Sequence, residues 1–292
     1  MTAVMEKAYA KINLYLDVLG IRGDGFHDIK TVMHSVSLCD DITVSVKPAQ
    51  NSRVNIFMHG NAFLPHDDKN LAVKAAKLFM GALGITAEVN IKLVKRIPVS
   101  AGLAGGSSDA AAVLRALNRI YKRPFTQAAL SSLGAVIGSD VPYCVLGKTA
   151  LCEGRGERIQ QIATSASLNV VIAASDEHVS TPDAYRALDG KFSGFDGSVP
   201  TNGVSAYERI SSALSSGKIG KGDMYNIFER VVLESCPKAR EAISLLESMG
   251  GIAIMSGSGP SVFGIFESES EASAACDALI SRGYRAFYAS SV

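Results

Sequence analysis

The stretch Pro98-Val99-Ser100-Ala101-Gly102-Leu103-Ala104-Gly105-Gly106-Ser107-Ser108-Asp109 decides how this chain reads. Glycines let the backbone turn tightly and come close to a bound anion. An alanine-rich helical pattern follows at once, and a helix start offers unpaired N–H groups at the positive end of the helix dipole. Together these parts make a phosphate cradle. The stretch lacks the Gly-Lys-Ser/Thr ending of a P-loop and does not follow G-x-G-x-x-G. With no lysine in the loop, backbone and hydroxyl groups must hold the phosphates, and any cation comes from elsewhere.

Working outward, Tyr9 to Val18 alternates with period two, the mark of a strand. Ala10, Ile12, Leu14, Leu16 and Val18 form its apolar face, and Lys11 and Asn13 lie together on the other. A glycine- and charge-rich turn spans 21–27. Strands are expected over 30–38, 41–46, 53–58 and 89–94, and a helix over 70–83 ended by Gly84. Behind the glycine loop a helix is expected over 110–121, with Val113, Leu114 and Leu117 on its buried face and Pro124 as its stop. Thr126 is expected to cap a helix running to 137, with Gly138 at its end. Further strands are read at 149–152, 158–162, 168–174, 252–255, 262–266 and 286–290, and helices at 222–234, 238–249 and 269–281. The stretch 189–201 reads as a surface loop. This alternation suggests α+β halves around antiparallel sheets, with domains expected at 1–163 and 164–292.

The composition narrows the function classes. At 292 residues the chain suits two domains. A net charge of +1 favours neither nucleic acid nor a membrane surface. Cys39, Cys144, Cys152, Cys236 and Cys276 form no C-x-x-C pair, so reduced thiols in a cytoplasmic protein are expected rather than a disulfide framework or a zinc site. No apolar run approaches membrane-spanning length, and Glu6 and Lys7 interrupt any signal-peptide pattern.

Three segments form a set: Lys11-Ile12-Asn13-Leu14, the glycine loop, and Ser256-Gly257-Ser258-Gly259-Pro260-Ser261. Their order and chemistry resemble the GHMP kinases, the superfamily of galactokinase, homoserine kinase, mevalonate kinase and phosphomevalonate kinase. Further runs sharpen the resemblance: Arg22-Gly23-Asp24-Gly25-Phe26-His27, Gly138-Ser139-Asp140-Val141-Pro142 and Glu153-Gly154-Arg155-Gly156-Glu157. They point to the branch that phosphorylates the 2-hydroxyl of 4-diphosphocytidyl-2-C-methyl-D-erythritol in non-mevalonate isoprenoid synthesis. One departure is Phe26, where that branch usually has tyrosine.

The resemblance implies an α+β, two-domain GHMP kinase fold, with an N-terminal ribosomal-protein-S5-like domain and a C-terminal ferredoxin-like α/β domain. It implies that residues 98–108 wrap the ATP phosphates, with Gly102, Gly105, Gly106, Ser107 and Ser108 nearest, and that Lys95 lies near the adenine; a solvated strand end is the rival reading of Lys95. Lys11 and Asp140 are the implied catalytic pair. Asp140 would take the proton of the acceptor hydroxyl and Lys11 would keep that carboxylate ionised. Taken singly, Lys11 also reads as a lysine on a solvated strand face and Asp140 as a turn residue. Asn13 would fix the reacting end of the acceptor. Phe26 and Tyr185 would stack on the cytosine while His27 hydrogen-bonds its polar edge. Thr181 and the loop residues Gly257, Ser258 and Gly259 would touch the substrate. ATP chemistry implies Mg2+, with no protein ligands assigned beyond the hydroxyls of Ser107 or Ser108. A monomer or weak homodimer is expected, with no nucleic-acid or membrane partner. A kinase of homoserine or mevalonate type, and an inactive regulator on the same fold, remain as alternatives. The former would have no base to stack on Phe26, and the latter would be expected to lose Lys11 or Asp140.

Overall fold

The computed structural model describes residues 2–60, 64–191, 206–220 and 222–292. Two long strands open the chain, β1 (Thr2–Ile21) and β2 (His27–Pro48). Then come β3 (Arg53–His59), α1 (Leu71–Leu83), β4 (Ala87–Val94), α2 (Gly105–Ile120), α3 (Gln127–Ile137), α4 (Val141–Leu146), β5 (Thr149–Gly154) and β6 (Arg158–Gln161). The remainder is β7 (Asn169–Ala174), α5 (Thr181–Lys191), α6 (Ala206–Ser216), β8 (Tyr225–Asn226), α7 (Glu229–Ser235), α8 (Pro237–Ser248), β9 (Ile252–Met255), β10 (Val262–Phe266), α9 (Glu269–Ser281) and β11 (Arg285–Ser290).

The chain forms two compact units. One comprises Met1–Ala10, Cys39–Val99 and Ala104–Gly147; the other comprises Lys11–Leu38, Ser100–Leu103 and Lys148–Val292. They do not follow a single cut at residue 163, because β1 and β2 each begin in one unit and end in the other.

In the first unit β3 pairs in parallel with β4, and β4 pairs antiparallel with the second half of β2. Helices α1 to α4 pack on one another. Residues Ala110 to Leu114, Ala116 and Leu117 of α2 are all buried. The helix is therefore enclosed on more sides than the Val113, Leu114 and Leu117 stripe suggested, and small alanines allow that close packing. Asn70 caps α1 by accepting from Ala72 N, and Gly84 ends it in the left-handed region. Thr126 caps α3 by accepting from Ala129 N.

In the second unit β5 pairs antiparallel with the first half of β2 and with β6, while β8 pairs in parallel with β1. A separate four-stranded antiparallel sheet has the order β11-β7-β10-β9. With α8 before β9 and α9 before β11, this is the β-α-β-β-α-β pattern of a ferredoxin-like layer. Its apolar face packs with Leu246, Ala272, Leu279 and Phe228 into one core.

Some elements differ from those read in the sequence. The strands expected at 30–38 and 41–46 are one strand, β2. Asp40, between the two expected strands, is fully buried and accepts from Arg96 N and Ile97 N. Instead of one helix over 222–234 there are β8 and α7. Asn226 interrupts the helix by donating to Met255 O and Gly257 O while accepting from Phe228 N. Helices α4, α5 and α6 were not foreseen. Asp189 to Lys191 end α5, and the rest of the expected 189–201 loop lies outside the described residues.

His34 on β2 shows how the end of the second unit is fastened. Its Nδ1 lies 2.8 Å from Thr149 Oγ1 and its Nε2 lies 2.9 Å from Ser291 Oγ. Burial pushes its pKa down to about 4. An unfolded chain takes up that proton near the ordinary value of about 6.5. The neutral imidazole therefore stabilises the fold fully above that pH, and the contribution is lost as pH falls toward 4. The shift corresponds to about 3 kcal/mol. Urea denaturation at pH 7 and pH 4 checks this: wild type should lose about 3 kcal/mol more across that interval than His34→Gln. Equal losses would contradict the assignment.

Candidate active site

The central part of β1 is buried on both faces. The apolar residues Ala10, Ile12 and Leu14 have no exposure, but Lys11, Asn13 and Tyr15 are also at most 5% exposed. A lysine on a solvated strand face is therefore not what the structure contains. Removing an ammonium from water is costly unless hydrogen bonds replace its hydration. Here Lys11 Nζ donates to Asn13 Oδ1 at 2.6 Å and to Gly102 O at 2.7 Å. Asn13 Nδ2 donates to Thr31 Oγ1 at 2.8 Å, and Thr31 Oγ1 donates to Tyr15 O at 2.6 Å. This chain fixes the Asn13 amide and, through it, the ammonium. Asn13 thus holds Lys11 in place.

Gly102 carries the other half of this arrangement. Leu103 O accepts from Lys11 N at 3.2 Å, and Ser256 Oγ donates to Gly102 O at 3.1 Å. Gly102 has φ +72°, and a Cβ there would lie 2.1 Å from Ser256 O. Gly257 has φ +60°, and a Cβ there would lie 3.1 Å from Lys11 Nζ. The glycine loop and the 256–261 loop therefore meet backbone to backbone beside the ammonium, which side chains would prevent. Gly259 N donates to Ser256 O, closing the second loop, and Ser258 Oγ lies 2.9 Å from Thr181 Oγ1 at the start of α5.

In the first unit, Ala104 has φ +55° and α2 begins at Gly105 with no side-chain cap and no acidic residue in its first turn. That is the chemistry of an anion site: amide donors and a dipole with no competing carboxylate. Of the hydroxyls, Ser108 Oγ donates to Tyr9 O at 2.7 Å and is buried, and Ser108 N donates to Ala104 O. Ser108 is thus committed to holding the helix start. Earlier in the loop Pro98 is buried and Val99 and Ser100 are exposed, while Ala101 and Leu103 are buried anchors.

Lys95 requires a correction. It is not a solvated strand end: its ammonium is buried between Asp40 Oδ2 at 2.5 Å and Asp109 Oδ2 at 2.8 Å. Burial works against its charge, but Asp109 and Asp40 outweigh burial and raise its pKa. Burial pushes the Asp109 carboxyl up to about 7 against the pull of Lys95. A Cβ on Gly105 would lie 2.9 Å from Lys95 Nζ. Lys95 therefore braces the helix start, with its ammonium engaged by two carboxylates. Asp40 and Asp109, its partners, carried no motif of their own in the sequence.

Asp140 is the residue before α4, partly buried, and its side chain caps nothing. The helix it precedes is well held. Arg115 of α2 donates to Cys144 O at 2.6 Å, to Lys7 O at 2.8 Å and to Glu6 Oε2 at 3.2 Å. Gly134 lets α3 approach Val141, where a Cβ would lie 2.8 Å from Val141 Cγ1. Asp140 thus makes no capping bond at the start of a helix that is held from neighbouring elements.

Of the expected base-recognition residues, His27 and Tyr185 come together in the second unit. Tyr185 stacks on His27, with centroids 4.4 Å apart and planes at 27°, and meets Phe228 edge-on at 4.9 Å. Tyr185 is therefore a support for His27. Phe26 is half exposed, with the Arg155 guanidinium 4.7 Å from its ring centroid. His27 Nε2 lies 2.8 Å from Asp189 Oδ1, a partner that sequence reading missed. Its signal was the i, i+4 spacing of Tyr185 and Asp189, visible only if 181–191 is read as a helix.

Two family models match the chain: GHMP kinases N terminal domain over residues 70–148 and GHMP kinases C terminal over residues 211–286. The 4-diphosphocytidyl-2-C-methyl-D-erythritol kinase of Bacillus pumilus (strain SAFR-032) is 42% identical over 271 residues, spanning 92% of this chain and 90% of that protein. Its counterpart in Bacillus subtilis (strain 168) is 41% identical over 269 residues, with the same coverage. The crystal structure of a 4-(cytidine 5'-diphospho)-2C-methyl-D-erythritol kinase matches with a TM-score of 0.80 at 33% identity, over 98% of each chain. The chain belongs to the GHMP kinases and, within them, to the family of 4-diphosphocytidyl-2-C-methyl-D-erythritol kinases. Among the described residues no helix is long and apolar enough to cross a membrane.

The Lys95 correction is testable. Lys95→Met leaves two carboxylates buried without their cation, which should destabilise the protein by about 3–5 kcal/mol in chemical denaturation. Native stability with a raised KM for ATP alone would return Lys95 to the adenine site.

Proposed function

We propose that this kinase transfers the terminal phosphoryl group of ATP to the 2-hydroxyl of 4-diphosphocytidyl-2-C-methyl-D-erythritol, a step of non-mevalonate isoprenoid synthesis. The observation that carries the reading is the buried Lys11 ammonium held against Gly102 of the glycine loop. A desolvated, fixed cation stabilises developing negative charge far better than a hydrated one.

Phosphoryl transfer to an alcohol asks for three things: a held polyphosphate, a positioned hydroxyl and a sink for its proton. The uncapped α2 start and the backbone of residues 98–107 supply the first. Their donor set fits an anion, because no carboxylate enters the first turn. Lys11, steadied by Asn13, orients and acidifies the acceptor hydroxyl. Asp140 takes the proton as the new bond forms. Mg2+, when bound with ATP, would shield the phosphate oxygens, and the Ser107 hydroxyl would assist it. The 256–261 loop with Thr181 holds the acceptor's middle. Phe26 supplies the stacking face for the cytosine and His27 the hydrogen bond to its edge. A cytoplasmic monomer or weak dimer suits such an enzyme, and no disulfide forms among the described cysteines.

The roles of Asp140 and Lys11 are separable by experiment. Asp140→Asn should keep the cooperative unfolding of wild type while kcat falls by about 10²–10⁴-fold, the range general-base removal gives. Near-normal kcat in that variant would remove Asp140 from the mechanism.

A further inference from the structure

We propose that Asp189 fixes the proton of His27 on Nε2, and so makes His27 Nδ1 an acceptor that selects the 4-amino group of cytosine over the 4-oxo group of uracil. This rests on the acceptor reading above and deepens it.

The geometry starts at the 2.8 Å contact between His27 Nε2 and Asp189 Oδ1. An ionised carboxylate only accepts hydrogen bonds, so the shared proton sits on Nε2. In the neutral imidazole the remaining nitrogen, Nδ1, then carries a lone pair. No hydrogen bond engages Nδ1 among the described residues. The His27 side chain is 12% exposed, so its orientation is set by its neighbours more than by water. Those neighbours come from one helix. Tyr185 and Asp189 lie four residues apart on α5 and so share a face. Tyr185 fixes the plane of the ring by stacking, Phe228 holds Tyr185 edge-on, and Asp189 fixes rotation within that plane.

The chemical consequence is a choice between bases. Cytosine offers an amino donor at position 4, where uracil offers a carbonyl acceptor. A lone pair at Nδ1 pairs with the first and repels the second. Were the proton on Nδ1, the preference would reverse. Asp189 is therefore a positioning residue for specificity: it acts through His27.

The test uses the whole chain with two acceptors, the 4-diphosphocytidyl and 4-diphosphouridyl forms of 2-C-methyl-D-erythritol, at saturating MgATP. Wild type should favour the cytidyl form. Asp189→Ala frees the imidazole to take either tautomer, and the cytidyl-to-uridyl ratio of kcat/KM should fall about tenfold, through the acceptor KM and with the KM for ATP unchanged. Asp189→Glu keeps a carboxylate and should restore most of the ratio. An equal loss on both acceptors, with the ratio unchanged, would reduce Asp189 to structural support and overturn the proposal. Histidine 15N NMR supplies a readout that needs no acceptor: wild type should show the Nε2–H form of His27, and Asp189→Ala a mixture. A protonated Nδ1 in neutral wild-type His27 would overturn the proposal while leaving the acceptor reading intact. Failure of wild type to turn over the cytidyl acceptor would instead overturn that reading, and the specificity claim with it.

Discussion

The buried ammonium of Lys11 is the constraint around which the second unit is organised. A lysine with so little exposure is tolerated only where fixed acceptors replace water. Asn13 Oδ1 and Gly102 O do so, and each is itself held: Asn13 through Thr31 to the backbone of β1, and Gly102 by Ser256 and the close backbone approach of the second loop. The ammonium is therefore fixed in place by the fold itself. The same contacts explain why small residues dominate both loops. At Gly102 and Gly257 any Cβ would meet backbone or the ammonium itself.

A second buried cation, Lys95, shows how a similar chemical problem is solved for a different end. It lies between two carboxylates instead of amide and carbonyl oxygens. Its charge is matched within the protein, so it serves as a brace at the start of α2. Lys11 is instead held by the amide oxygen of Asn13 and the carbonyl oxygen of Gly102. The distinction lies in the chemistry of the partners, since both lysines are buried.

Much of this was legible in the residues. Period-two alternation located β1, and the Thr126 cap and Gly84 stop located α1 and α3 closely, because those signals are local. The helix behind the glycine loop was legible because an alanine-rich run follows the glycines directly. What could not be read were facts of tertiary burial. The polar face of β1 looked solvated, and Lys95 looked like a strand end. The strands read at 30–38 and 41–46 are joined through Asp40, which is buried as the acceptor for Lys95, Arg96 and Ile97. Helix α5 was missed because only Ala184 and Leu188 of its residues are buried, too few to make a periodic stripe. With it went Asp189 and the true position of Tyr185. The short β8 was hidden for another reason: Asn226 makes side-chain bonds to a loop some thirty residues away in sequence.

The most direct measurement of the central claim is ADP release coupled to acceptor phosphorylation, with MgATP and three acceptors offered separately: 4-diphosphocytidyl-2-C-methyl-D-erythritol, homoserine and mevalonate. Turnover confined to the cytidyl acceptor, and abolished by Lys11→Met in a folded protein, is the expected result. Turnover of homoserine or mevalonate in its place would contradict the roles given to Phe26 and His27, and undiminished turnover in Lys11→Met would contradict the role given to the buried ammonium.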